Sequence, residues 1–298
     1  MGASGAAAWR VAPAEAVSPE ADSAFHRWID DGCSATMDWL AAYPELRRDP
    51  RMLVEGARSV IIAAFPYRRD LSDPALRPIL PISRYALGAD YHDVVRRRLT
   101  PVAEACGAGS RVCVDSAPVR ERYWAVRAGL GHIGRNNLLI IPGLGSMNFL
   151  GCIITPALIE PDSPLPPSAS PCYDCDAPCL KACPTGAIRP DSTIDARRCL
   201  AYLTIEHRGP FPPGTDLHGR LFGCDACALA CPLNRVPLPP GQPLADFDPL
   251  PQTLALTPGD INTLSQRAFA RRFAGSPLMR ARISSLRRNL DLLNSIHK

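Results

Sequence analysis

Three stretches of different character predict the fold class: an α/β domain, a small cysteine-rich domain after it, and a basic helical tail. Over residues 23–160 short β-branched runs alternate with helix-periodic stretches, the pattern of an α/β domain. Eight of the 12 cysteines then fall between Cys172 and Cys231, too dense a grouping for ordinary core positions. From Gln266 onward eight basic residues meet one acid, so the tail carries +7 and the rest of the chain −3. Clustered arginine of this kind is either a footprint for phosphate backbones or a solvated helical face. A length of 298 residues with 46% apolar content is enough to build a proper core.

Taken in order, residues 1–22 are rich in Ala, Pro and Ser and are expected to be disordered. They lack the basic start and apolar block of a signal peptide. No apolar run approaches the roughly 20 residues that cross a bilayer, so a soluble, cytoplasmic protein with no membrane partner is expected. Phe25 to Tyr43 reads as two short helices interrupted at Gly32, and Arg58–Phe65 as a buried strand ended by Pro66. Ala89–Cys106 is helix-periodic. Arg111–Asp115 alternates and stops at Ser116-Ala-Pro118, which puts Asp115 at a strand end, where α/β sheets build their sites. Val119–Ala128 turns helical again. Gly129–Gly134 matches G-x-G-x-x-G, but it follows a helix and runs into the strand-like Asn137–Ile141. A dinucleotide fingerprint has the opposite order, so a tight turn is the better reading. Phe149–Pro156 is a further strand. The Pro- and Ser-rich Glu160–Pro171 marks the boundary before a cysteine domain over 161–240, and the tail over 241–298 reads as two or three helices punctuated at Gly275-Ser-Pro277.

The cysteines run Cys172-x-x-Cys175-x-x-x-Cys179-x-x-x-Cys183-Pro184, then a lone Cys199, then Cys224-x-x-Cys227-x-x-x-Cys231-Pro232. Two runs that each close in Cys-Pro resemble the bacterial two-cluster ferredoxin layout, in which the Cys before Pro reaches across to the other [4Fe-4S] cluster. If that crossover holds, cluster one takes Cys172, Cys175, Cys179 and Cys231, and cluster two takes Cys183, Cys199, Cys224 and Cys227. Zinc is the alternative, but zinc ribbons pair two knuckles and leave Cys-Pro endings without a role. Disulfide scaffolds belong to short secreted chains. One irregularity stands out: three residues separate Cys175 from Cys179 where two are usual, and a bulge at Pro178 would absorb the extra one. Cys33, Cys106, Cys113 and Cys152 lie in apolar settings as small core residues.

These cysteines stand beside further segments: Arg48-Asp-Pro-Arg51 with Gly56–Val60, Arg84-Tyr-Ala-Leu-Gly88 with Asp90-Tyr-His92, Val114-Asp-Ser-Ala-Pro118, Ala128-Gly-Leu-Gly131, Gly145-Ser146, Cys199–Glu206 and Gly223-Cys-Asp-Ala-Cys227. In that combination the chain resembles the epoxyqueuosine reductases, over roughly Phe25 to Leu293. The resemblance implies a nitroreductase-like α/β domain that holds cobalamin base-off, related to the corrinoid reductive dehalogenases, with a two-[4Fe-4S] ferredoxin-like domain against it. It implies reduction of epoxyqueuosine to queuosine in tRNA, with an electron donor such as flavodoxin or ferredoxin. The alternatives are a small-molecule reductase of the dehalogenase kind and an iron–sulfur electron carrier.

By the same resemblance Asp115 is the proton donor, and Arg84, Tyr85, Asp115, Ser116, Asn137 and Ser146 contact cobalamin. An acid role requires that burial beside an apolar macrocycle raise the Asp115 pKa; without it Asp115 reads as a turn cap before Pro118. His207, Arg208, Arg280, Arg282 and Arg287 are the expected tRNA contacts. His132 and Arg135 depart from the aromatic residue and lysine common in relatives, and His132 reads as a partly buried turn residue rather than an axial cobalt ligand. A monomer is expected.

Overall fold

The computed structural model describes residues 1–296; Lys298, counted above in the basic tail, lies outside the described residues. Among the described residues there are six strands: β1 (Ala8–Pro13), β2 (Ser59–Pro66), β3 (Arg111–Cys113), β4 (His132–Ile133), β5 (Leu139–Ile140) and β6 (Asn148–Thr155). Four of them make one sheet in the order β1-β2-β6-β3, antiparallel throughout, while β4 and β5 pair as a separate hairpin. All eight residues of β2 are buried, which is why that run is apolar without alternation. Its side chains serve two cores by period-2 alternation. Val60, Ile62 and Ala64 pack with Trp124 of the helix Glu121–Arg127, whereas Ile61, Ala63 and Phe65 face Val95 and Leu99 of the helix Tyr91–Ala105.

The N-terminus corrects the expectation of disorder. β1 pairs with β2 in register from Ala8↔Ala64 to Pro13↔Ser59, and the Val11 amide donates to Asp162 Oδ2 at 2.8 Å. An edge strand is held mainly by backbone hydrogen bonds to a partner already apolar, so it needs no apolar run of its own, and the mixed sequence Ala8-Trp-Arg-Val-Ala-Pro13 hides it. The first helix starts at Pro19, capped by Ser18, ahead of the Phe25 start read from periodicity.

The G-x-G turn has a packing cause rather than a nucleotide. A Cβ on Gly129 would lie 2.1 Å from the Ser163 carbonyl oxygen, and one on Gly131 would lie 2.3 Å from that of Ile140. The segment after residue 160 therefore packs closely on the α/β domain, and it also donates from Asp162 N to Val11 O at 2.9 Å.

The tail closes a third core. Phe269, Phe273 and Leu286 pack against Leu87, Leu221 and Phe222, so one face of these helices is interior. Buried Asn289 donates from Nδ2 to both Thr204 O and Leu221 O at 2.9 Å. Among the described residues no helix is long and apolar enough to cross a membrane.

Candidate functional site

The eight clustered thiols separate into two fours. Cys172, Cys175, Cys179 and Cys231 line one cavity of about 610 Å³, with Arg135 and Asn136 of the β4–β5 loop on its wall. Cys199, Cys224 and Cys183 act on Cys227, whose thiol is pushed up to about 12 by burial first, then by those neighbours and last by Cys179 of the other four. Burial likewise raises Cys179, with Cys172 and Cys231 adding to it, and raises Cys231, with Cys172 and Cys175 adding. Burial makes Cys179, Cys199, Cys227 and Cys231 resist becoming thiolates unless a shared cationic centre compensates them. At Cys183 burial is outweighed by hydrogen bonds with Ala187 and Thr185, which favour the thiolate. The donor set therefore fits iron–sulfur clusters. The extra residue before Cys179 is absorbed at Ala177. This residue takes left-handed φ 51°, ψ 52° and lets Pro178 open the helix Pro178–Ala182. Of the remaining cysteines, Cys113 and Cys152 are core residues, Cys106 is half-buried, and Cys33 accepts a hydrogen bond from Arg189 Nη1 at 2.9 Å.

A second centre forms where β3 ends. The backbone turns at Asp115 with φ 50°, a conformation that aspartate tolerates better than most residues. Tyr91 Oη donates to Asp115 Oδ2 at 2.6 Å, and His92 Nε2 lies 3.1 Å from the same oxygen. The other ring nitrogen of His92 faces Asp90 Oδ1 at 2.7 Å. Both ring nitrogens thus meet carboxylates, an arrangement satisfied only when both carry protons. Burial opposes the charge on His92, but the hydrogen bonds to Asp115 and Asp90 outweigh it and raise its pKa to about 9. Asp115 moves the other way. Burial alone would raise it, yet the hydrogen bonds from His92 and Tyr91 and the charges of His92 and Arg280 hold it below the usual carboxylate range.

That direction corrects the expectation of a raised Asp115. Its side chain is 63% exposed to an open cleft while its polar neighbours stabilise the charge. The cleft, of about 1070 Å³, is lined by Trp39, Tyr85, Asp115, Ser116, Glu206 and Arg280 among others. A smaller pocket of about 250 Å³ shares Tyr85, Tyr91 and Asp115 and adds Tyr67, Glu121 and Asn148. Burial, and then the Asp115 charge, push Glu121 up to about 8. Glu121 Oε1 and Asn148 Oδ1 are buried without hydrogen-bond partners.

Of the residues expected around cobalamin, Tyr85, Asp115 and Ser116 meet in the cleft. Arg84 faces away from it: its amide donates to Asp225 Oδ2 and its Nη1 to Arg69 O, both at 2.8 Å. Ser146 is buried on Asn234, which accepts from Ser146 N at 2.7 Å and donates to its Oγ at 2.9 Å. Asn137 accepts from Arg122, itself a wall of the smaller pocket.

Among the expected tRNA contacts, Arg280 stands at the cleft rim with its guanidinium 5.0 Å from the Trp39 ring centroid, held by Glu206 at 2.7 Å. Arg208 also lines the cleft, but it donates to Ile205 O and Arg280 O. Arg282 is exposed. Arg287 differs from the expectation, being committed to the carbonyls of Ile261 and Leu264 at a helix end. The His207 Nε2 pairs with Pro210 O at 2.9 Å. His132 is buried, its Nε2 without a partner, in β4.

Sequence reasoning missed Tyr91, His92, Glu121, Asn148 and Trp39. The signal for His92 was the Asp90-Tyr-His92 triplet at a helix start, where a capping carboxylate and an imidazole are neighbours.

Comparison with known proteins gives two family matches: "Epoxyqueuosine reductase QueG, DUF1730" over residues 47–116 and "4Fe-4S double cluster binding domain" over residues 171–234. The chain is 39% identical to the epoxyqueuosine reductase of Gloeobacter violaceus, covering 94% of this chain and 88% of that one. It is 38% identical to that of Pseudomonas aeruginosa, covering 91% and 77%. A crystal structure of epoxyqueuosine reductase with an epoxyqueuosine-modified tRNA-Tyr stem loop superposes with a TM-score of 0.84 at 26% identity, over 97% of this chain and 77% of that chain. The structure of epoxyqueuosine reductase from Streptococcus thermophilus superposes with a TM-score of 0.83 at 25% identity, over 99% and 79%.

Proposed function

The chain belongs to the epoxyqueuosine reductase family, and we propose that it reduces epoxyqueuosine in tRNA to queuosine, with the chemistry at Asp115. The observation that carries this reading is the Asp115 carboxylate, bound by Tyr91 and His92 in a cleft beside the cysteine-rich half. Converting an epoxide to an alkene takes two electrons and two protons and releases the oxygen as water.

The two sets of four thiols would hold two [4Fe-4S] clusters, which would supply one-electron transfer. Cluster one would be the entry for a flavodoxin or ferredoxin, because its ligands lie among the exposed residues Tyr173, Asp174, Asp176 and Lys181. Cluster two would be the exit, since its ligand Cys227 is close enough to Tyr67 of the smaller pocket to act on that phenol, after burial and Asp225.

Cobalamin is the group the family resemblance implies for the cleft, in a nitroreductase-like domain. The cleft of about 1070 Å³ and the adjoining pocket that shares Tyr85, Tyr91 and Asp115 with it, walled further by Tyr67 and Phe149 and carrying two unpartnered polar atoms, Glu121 Oε1 and Asn148 Oδ1, together fit a broad macrocycle fringed with amides. When bound, cobalamin supplies a reduced, strongly nucleophilic centre that acts on carbon with an electron pair. Tyr85 and Ser116 would hold it from the cleft side, with Asn137 bracing the Arg122 wall of the smaller pocket. Arg84 and Ser146 are turned to Arg69 and Asn234 and would act at most through their neighbours in the chain.

The residues of this chain manage the proton. His92 keeps one at Nε2 through neutral pH, and Asp115 relays it to the departing oxygen, being hydrogen-bonded to His92 on one side and open to the cleft on the other. Tyr91 fixes the carboxylate while this happens. The tRNA docks over the rim, where Trp39 offers a stacking face and Arg208 and Arg280 offer positive charge, with exposed Arg282 two residues along the chain from Arg280. The enzyme works as a cytoplasmic monomer.

Anaerobically reduced protein loaded with iron, sulfide and cobalamin, incubated with epoxyqueuosine-bearing tRNA, should yield queuosine in the digested nucleosides by mass spectrometry. Unchanged epoxyqueuosine would overturn the proposal.

A further inference from the structure

The α/β domain reaches into the cavity of cluster one. The β4–β5 hairpin presents Arg135, Asn136 and Ile140 to the wall that the four thiols share. Asn136 is only 3% exposed. Its Oδ1 accepts a hydrogen bond from Leu138 N at 3.3 Å, and this fixes the amide orientation, because the reversed amide would set two N–H groups against each other. Asn136 Nδ2 is then left as a buried donor with no partner in the protein. Folded proteins rarely keep such donors unmet, and the wall on which this one sits belongs to a ring of cysteine thiols. Neighbouring Arg135 reaches the same rim through a longer contact, Nε to Cys172 O at 3.4 Å, and is exposed, so solvent screens its charge.

We propose that Asn136 Nδ2 donates a hydrogen bond to a sulfur of cluster one, either a cysteine thiolate or an inorganic sulfide. The inference rests on the ligand set Cys172, Cys175, Cys179 and Cys231 given above. Reduction adds negative charge to the cluster, and an N–H dipole aimed at sulfur stabilises the reduced form more than the oxidised one. The bond therefore raises the reduction potential of cluster one and makes it easier to load from a donor than it would be without the bond. The α/β domain thereby adjusts the electron supply to its own cleft.

The test is an EPR-monitored redox titration of the anaerobic holoprotein and its Asn136→Leu variant, with Cys179→Ser identifying the signal of cluster one. Asn136→Leu should make cluster one about tenfold harder to reduce, a shift of ~59 mV to more negative potential for one electron, with cluster two unmoved. Two unmoved midpoints at full iron content would overturn the hydrogen bond and leave the ligand set intact. Cys179→Ser that alters neither signal would instead break the ligand set, and the proposal with it. Should Asn136→Leu fail to assemble its clusters, the unsubstituted protein labelled with ¹⁵N at asparagine side-chain amides decides: a hyperfine coupling to reduced cluster one is expected, and its absence overturns the proposal.

Discussion

All eight cluster thiols come from the single stretch Cys172–Cys231, whereas the cleft draws Trp39, Tyr91, Asp115, Glu206 and Arg280 from segments far apart in the chain. The first region is specified by ligand type and spacing, with small backbone adjustments such as the left-handed Ala177 taking up irregularities. The second exists only once the sheet, the helix Tyr91–Ala105 and the tail have packed. One consequence is that a cysteine substitution should act locally and absolutely, while a change in the cleft should act by degree and leave the clusters in place.

The largest effect tests the first half of that contrast. Cys227→Ser should remove cluster two and abolish multiple turnover, read as iron content and queuosine formation, while the sheet keeps its far-ultraviolet signature. Turnover that survives the loss of that cluster would break the assignment of cluster two as the exit.

Next in size is His92→Gln, which keeps a donor near Asp115 but no titrating proton. Turnover should fall by about 10²-fold, at the lower end of what acid–base groups contribute. The pH profile sharpens the point. A pKa raised to about 9 keeps His92 protonated through neutral pH and releases the proton as pH rises through that value, so the native rate should fall on the alkaline side. In His92→Gln that limb should be missing, and a limb that stays in place would assign it to another group.

A smaller effect is expected at the rim. Arg280→Ala removes a charge stacked on Trp39 and paired with Glu206, and should raise KM for tRNA by about tenfold with kcat little changed, within the 1–3 kcal/mol range of base-stacking contacts. Arg287→Ala, in contrast, should lower thermal stability rather than tRNA affinity, because its guanidinium caps Ile261 and Leu264.

The same contrast explains what the sequence reveals. β2, β6 and the helix Tyr91–Ala105 are legible because each has a clear period or an unbroken apolar run. β1 is not, because its pairing is made by backbone to Ser59–Ala64 and its own mixed run, with Trp9 and Arg10 exposed and Val11 and Ala12 buried, shows no period-2 alternation. Asp115 is legible as a strand-end acid, but the direction of its pKa is not. That direction depends on His92, itself set by Asp90, and so on a three-residue geometry that no spacing rule encodes. Tail charge is equally deceptive: Arg287 and Arg288 look like a phosphate footprint in sequence and serve main-chain carbonyls in the fold.

The most direct test separates electron supply from chemistry in one molecule. In Asp115→Asn loaded with iron, sulfide and cobalamin, both clusters should reduce to the native extent by EPR while queuosine formation falls by about 10²–10⁴-fold. Native turnover in that variant, with the clusters equally reduced, would contradict the role of Asp115 and with it the division between the two regions.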